Sequence, residues 1–181
     1  MPVLAIRDVT FGRGGVVVLE SLNVTVEAGQ RKTDVRRNRF AASVVAQIAA
    51  GIVKPTRGKV FISEYDPAIQ PVQSKRLVGF VPASLPEQQF GGIERYIAYR
   101  AALWSIDCEV AMQRARQALS MLASTEANFA KALAGALISA PPLVVLDQPP
   151  ENSAAEVFAA IGNAGLFTTH ASTEESIAWR A

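Results

Sequence analysis

The run Leu143-Val144-Val145-Leu146, closed by Asp147, constrains the fold more than any other part of the chain. Four apolar residues in a row leave no wet face. A strand built from them must be covered on both sides, which is the habit of a parallel strand between helical layers. Pro141-Pro142 immediately before it ends the helical pattern expected over 127–138. Other segments supply the alternation that a parallel sheet needs: a helix over 41–50 ended near Gly51, short strands at 58–62 and 77–81, and a last strand at 166–168. Helices are expected at 93–104 and 108–122, broken at Ser105–Asp107, and again at 154–162 and 173–180. Residues 3–28 read differently. There Leu22, Val24 and Val26 alternate with Asn23 and Thr25, and Gly12, Gly14 and Gly15 supply a turn, as in β structure. A β-rich start followed by strand–helix alternation predicts an α/β domain.

With 181 residues and 50 % apolar content, the chain has the size and the core of one domain. A formal net charge of +2 gives no argument for nucleic acid as a partner. Basic residues gather locally at Arg31, Lys32, Arg36, Arg37 and Arg39, a group that reads either as a solvated loop or as an anion-binding one. One cysteine, Cys108, excludes a disulfide framework, and with one histidine, His170, it makes no His/Cys metal site. The N-terminus carries no leader pattern. The longest apolar stretch, 132–146, is interrupted by its prolines and falls short of the roughly 20 residues of a spanning helix. No direct membrane insertion is expected.

Five landmarks in order resemble the nucleotide-binding domain of ABC transporters. Gly51-Ile52-Val53-Lys54-Pro55-Thr56-Arg57-Gly58-Lys59-Val60 is similar to the stretch after the family's phosphate loop, and Gly29-Gln30 to the residues that open the strand before it. Val78-Gly79-Phe80-Val81-Pro82 resembles the strand entering the Q-loop. Leu143 to Pro149 resembles the Walker B strand with its "L-D-E-P" end, and Thr168-Thr169-His170 the switch-histidine strand. The resemblance implies a single ABC ATPase-like domain over 1–181. Its fold would be of the P-loop NTPase type, with an N-terminal antiparallel β subdomain, a parallel-sheet core and an inserted helical subdomain over about 84–126.

The same resemblance implies a damaged ATP site. The family's "G-x-x-G-x-G-K-S-T" falls on Arg36, Arg37, Asn38, Arg39, Phe40, Ala41, Ala42, Ser43 and Val44. Its glycines let backbone N–H groups curl around phosphate without Cβ collisions. Here they are Arg36, Arg39 and Ala41. Ala42 replaces the lysine that reaches the β- and γ-phosphates, and only Ser43, the family's magnesium ligand, is kept. The strand before the loop, Arg31-Lys32-Thr33-Asp34-Val35, is polar where the family is apolar. Burying Asp34 unpaired costs several kcal/mol, so the expectation is a local rearrangement, with Asp34 paired to Arg36 or another base or the strand partly exposed.

Further along, Gln148 stands where the family's glutamate polarises water, and an amide cannot accept that proton. The Q-loop glutamine falls on Ala83, and no aromatic ring stands near Arg13 or Gly14 to stack on adenine. The signature falls on 123–127, with Ser124 kept and Thr125 and Glu126 in place of the glycines. Because the signature acts on a partner's nucleotide, the Glu126 carboxylate would repel that γ-phosphate. Between Asp147 and His170 the chain is shorter than the family, and it stops soon after His170, so part of the family's dimer surface is expected to be missing.

Plainer readings stand beside these. Asp147 can close a strand and bond nearby backbone, His170 can fill a strand end, and Ser43 can serve as a helix N-terminal residue. Phe90, Tyr96, Tyr99 and Trp104 form either a docking surface or helix core. Taken together, the motifs imply a pseudo-ATPase: a structural or regulatory subunit beside another ABC domain or a membrane permease, cytoplasmic and peripheral through that partner. No cofactor is expected; Mg2+, on Ser43 and Asp147, would bind only with a weakly held ATP. Two alternatives remain open: a subunit of an active transporter with weak or partner-dependent nucleotide binding, and an anion sensor built on the arginines at 36, 37 and 39.

Overall fold

The computed structural model describes residues 1–83, 92–122, 127–150, 157 and 164–170. It begins with β1 (Pro2–Arg13) and β2 (Val16–Glu27), an antiparallel hairpin in which Arg13 pairs Val16 across the two-residue turn Gly14-Gly15. Both turn glycines have left-handed φ, 60° and 78°, the geometry that matches the twist of the flanking strands. On β2, Leu22, Val24 and Val26 are buried while Asn23 and Thr25 are exposed, as the alternation predicts. Strand β4 (Arg57–Ile62) adds to the other side of β1, giving a three-stranded antiparallel sheet of order β2-β1-β4.

The second sheet is parallel, of order β3-β7-β6-β5, from β3 (Arg31–Arg36), β5 (Val78–Val81), β6 (Leu143–Asp147) and β7 (Ala164–His170). Every residue of β6 is buried. Leu143 and Val145 join a core cluster with Leu4, Ile6, Val45 and Ile48, which fills the space between the two sheets. Val144 and Leu146 join Val81, Phe129, Leu133 and Val157 on the opposite side. The uninterrupted apolar run is therefore read correctly: each face of the strand has its own cover.

Helix α1 (Arg39–Ala49) contributes most of the first cover, burying Ala41, Ala42, Val44, Val45, Ala46, Ile48 and Ala49 against both sheets. It ends at Gly51, whose left-handed φ of 68° reverses the chain. A short helix, α2 (Pro71–Arg76), has no counterpart in the sequence reading; Pro71 opens it, and its six residues are too few to show periodicity. Helices α3 (Ile93–Trp104), α4 (Cys108–Met121) and α5 (Ala127–Leu137) form a third cluster around Ile97, Ala101, Ala111, Ala115, Ala118, Ala134 and Ile138. Small residues allow close approach there: a Cβ on Gly135 would lie 2.4 Å from the Tyr96 ring. Asp107 caps α4 by accepting from Glu109 N at 3.0 Å. Tyr96 and Trp104 are partly buried but Tyr99 is 49 % exposed, so the helix-spaced aromatics are not all core. Phe90, most of the helix expected at 154–162 and all of that at 173–180 lie outside the described residues; Val157 is helical.

The strand Arg31–Arg36 meets the expectation of a paired Asp34 and an exposed strand, but not that of a local rearrangement. It is regular, not rearranged, and pairs with β7 along its whole length. It is also the outer strand of the described sheet, with Arg31, Lys32, Thr33 and Val35 exposed. The polar sequence is accommodated by position. Asp34 is covered but paired, its Oδ2 accepting from Arg36 Nη2 at 2.6 Å and its Oδ1 from Nε of the same guanidinium.

Candidate functional site

The parallel sheet brings the ends of β3, β6 and β7 to one edge, and the start of α1 meets them there. Three residues singled out from the sequence converge. Ser43 Oγ donates to Asp147 Oδ1 at 3.0 Å, and Gln148 Nε2 donates to Ser43 Oγ at 2.9 Å. Gln148 Nε2 also lies 3.2 Å from the Arg39 carbonyl and 3.3 Å from Asp147 Oδ1. Thr168, buried on β7, adds its hydroxyl to the same carboxylate oxygen at 3.4 Å. Asp147 is only 2 % exposed, and among the described residues side-chain donors converge on its Oδ1. Thr168 is the member of this group that the sequence reading passed over as a site residue. Its register opposite Asp147 on the neighbouring strand is a tertiary fact without a motif of its own.

Gln148 sits where β6 ends, with a left-handed φ of 51°, and its backbone N–H donates to Thr168 O at 2.8 Å. Its Oε1 is buried with no hydrogen-bond partner among the described residues. A buried acceptor of that kind costs about 1–3 kcal/mol. What holds the side chain in place is therefore its NH2 end.

The segment 36–44 is a helix start. Asn38 has extended backbone (φ −148°, ψ 161°), and its side-chain oxygen accepts from Ala41 N at 2.8 Å. Its carbonyl accepts from Ala42 N at 3.2 Å. Asn38 is thus the N-cap of α1; Ser43 is the fifth residue of the helix and caps nothing. No residue from 36 to 44 has a left-handed φ. Ala42 is 0 % exposed and Val44 4 %, whereas Arg37, Asn38 and Arg39 face solvent. Ala83 is exposed just beyond β5.

Beside the helix start lies a cleft of about 350 Å³ lined by Arg13, Val16, Val17, Val18, Asn38 and Phe40. The hairpin turn carries no aromatic ring, as read from the sequence, but Phe40, half exposed, brings one from α1. Its place within the loop motif concealed it. His170 enters through its backbone alone, opposite Arg36 in the register of β7. Its side chain, and residues 123–126 with Ser124, Thr125 and Glu126, lie outside the described residues. Among the described residues no group of three or more His, Cys, Asp or Glu could hold a metal ion, and no helix is long and apolar enough to cross a membrane.

A parallel sheet with a serine near the start of its first crossover helix bonded to an aspartate at a strand end, joined to an antiparallel sheet and a helical layer, has the fold of ABC nucleotide-binding domains. The solved structures agree. An ATP-binding subunit of an ABC transporter superposes with a TM-score of 0.77 at 18 % identity, covering 93 % of this chain and 79 % of that one. The cbiO1 protein of Clostridium perfringens, part of the cbiONQ complex, gives 0.72 at 16 % identity over 94 % and 79 %. No family model matches the sequence. Curated relatives are ABC transporter ATP-binding proteins. The Fe(3+) ions import ATP-binding protein FbpC 1 of Haemophilus influenzae is 26 % identical over 94 % of this chain. The energy-coupling factor transporter ATP-binding protein EcfA of Methanoculleus marisnigri is 29 % identical over 82 %. The chain spans 59 % of the length of each.

Proposed function

We propose that this chain is an ABC transporter ATP-binding domain that has lost the means to hold and cleave ATP, and that it serves as a structural or regulatory subunit. In this reading it works on the cytoplasmic side of a membrane beside a permease subunit or a second ABC domain. Kinship with ATP-binding transporter subunits supports the setting.

One observation carries the loss of nucleotide handling: the backbone at the start of α1 is an ordinary capped helix start and not a phosphate nest. A triphosphate is held at such a site by free N–H groups on a backbone curled through left-handed residues, and by an ammonium group. Here Ala41 N–H is taken by the Asn38 side chain, no residue from 36 to 44 is left-handed, and a buried methyl group stands where the lysine would be. These residues do not fit a nested Mg·ATP. Arg37 and Arg39, exposed nearby, offer charge without that geometry.

Calorimetric titration of the purified chain with Mg·ATP tests the reading. The expected result is no binding tighter than about 1 mM, the weak end of the affinity scale. Saturable binding in the micromolar range would overturn it.

A further inference from the structure

We propose that the Gln148 carboxamide stands where a divalent cation would be held between Ser43 and Asp147, and that it closes this position to metal. The inference rests on the reading above to the extent that both take the position as not built for Mg2+.

A hard divalent cation takes oxygen ligands. Three oxygens converge here: Ser43 Oγ, Asp147 Oδ1 and the Arg39 carbonyl. Gln148 Nε2 lies 2.9, 3.3 and 3.2 Å from them, and so occupies the space they share. A magnesium ion bound to the same oxygens would sit about 2.0–2.1 Å from each, in the space the NH2 group occupies. The amide carries its partial positive charge to the acceptors that a cation would neutralise.

The orientation of the amide follows from its neighbours. Exchanging its oxygen and nitrogen would aim an acceptor at the Asp147 carboxylate and at a carbonyl, neither of which can donate. The position is also enforced from behind, since the Gln148 backbone N–H is bonded to Thr168 O at 2.8 Å. Oε1 is left without a partner among the described residues, yet the side chain stays. The sequence points to Gln148 only as a missing base; the geometry makes it a plug.

A glutamate at 148 would present oxygen where the amide presents N–H. Two carboxylates and a hydroxyl would then converge, and a cation relieves their repulsion. The metal alone is the probe: Mn2+ retention by the full chain, without nucleotide, followed by the loss of the free-ion signal in electron paramagnetic resonance. Wild type should retain Mn2+ no better than Asp147→Asn. Gln148→Glu should retain it at least about tenfold more tightly, and adding Asp147→Asn should erase that gain. Gln148→Ala, which removes the plug without adding charge, should gain severalfold and decides the matter if the glutamate variant does not fold. Wild-type retention equal to that of Gln148→Glu, or no gain in either folded variant, overturns the inference. Binding of Mg·ATP by wild type would strike the proposed function instead, so the two failures are distinguishable.

Discussion

Ser43 Oγ, on the second turn of α1, donates to Asp147 Oδ1 at the end of β6 over 3.0 Å. This bond ties the first crossover helix to the buried central strand, and the other donors to that oxygen, Gln148 and Thr168, stand farther off at 3.3 and 3.4 Å.

Ser43→Ala is therefore expected to destabilise the chain by about 1–3 kcal/mol, because a buried carboxylate loses its nearest donor. Urea unfolding followed by circular dichroism measures it; a midpoint unchanged from wild type would show that the bond contributes nothing.

Asn38 offers a second test. Its side chain satisfies the Ala41 N–H at 2.8 Å as the cap of α1. Asn38→Ala should cost about 1 kcal/mol and Asn38→Ser only a few tenths, since serine caps nearly as well. The pair of melting temperatures separates capping from a general effect of substitution.

Gly58 meets β1 where the register shifts between Arg7 and Thr10. Its φ is 84°, and a Cβ there would lie 2.4 Å from the Asp8 carbonyl oxygen and 2.6 Å from that of Arg7. Both obstacles are backbone. Gly58→Ala should lose about 2 kcal/mol or more through strain and collision together, with poor soluble yield as the early sign.

Leu146 is fully buried between β6 and α5. Leu146→Ala should destabilise by about 2–5 kcal/mol as the cavity stays partly open, and denaturant unfolding reads the loss.

Tyr65 supplies a test on the alkaline side. Its hydrogen bond to Glu64 holds the phenol above its ordinary value, and the charge of the same carboxylate adds to this. A raised folded-state value means that the neutral phenol is the favoured form. Its contribution to stability is present below the ordinary tyrosine range and is lost as pH rises through the raised one. Ultraviolet titration should find one tyrosine ionising late in the native protein, and Glu64→Ala should bring it back.

Much of this protein is legible in residue order because its signals are local. Apolar Leu143 to Leu146 announces a doubly covered strand, the alternation in β2 announces its wet face, and Gly14-Gly15 announces a tight turn. The helix boundaries at Ile93, Trp104 and Cys108 follow from periodicity and from Asp107. The resemblance to ABC domains is legible too, from the order of motifs along the chain.

Other relationships depend on what the folded chain brings together. The polarity of Arg31 to Arg36 announces a paired Asp34 or an exposed strand, but only the fold decides that both hold, with the strand at the outside of the described sheet and Asp34 turned onto Arg36. Thr168 and Phe40 acquire their places only from strand register and helix packing. Gln148 is the clearest case: residue identity shows that it cannot act as a base, but that its amide bonds both Ser43 and Asp147 follows from the meeting of α1, β6 and β7. Propensity and pattern act over a few residues, whereas this cluster is set by segments 104 residues apart, and only their packing determines which oxygens face one another.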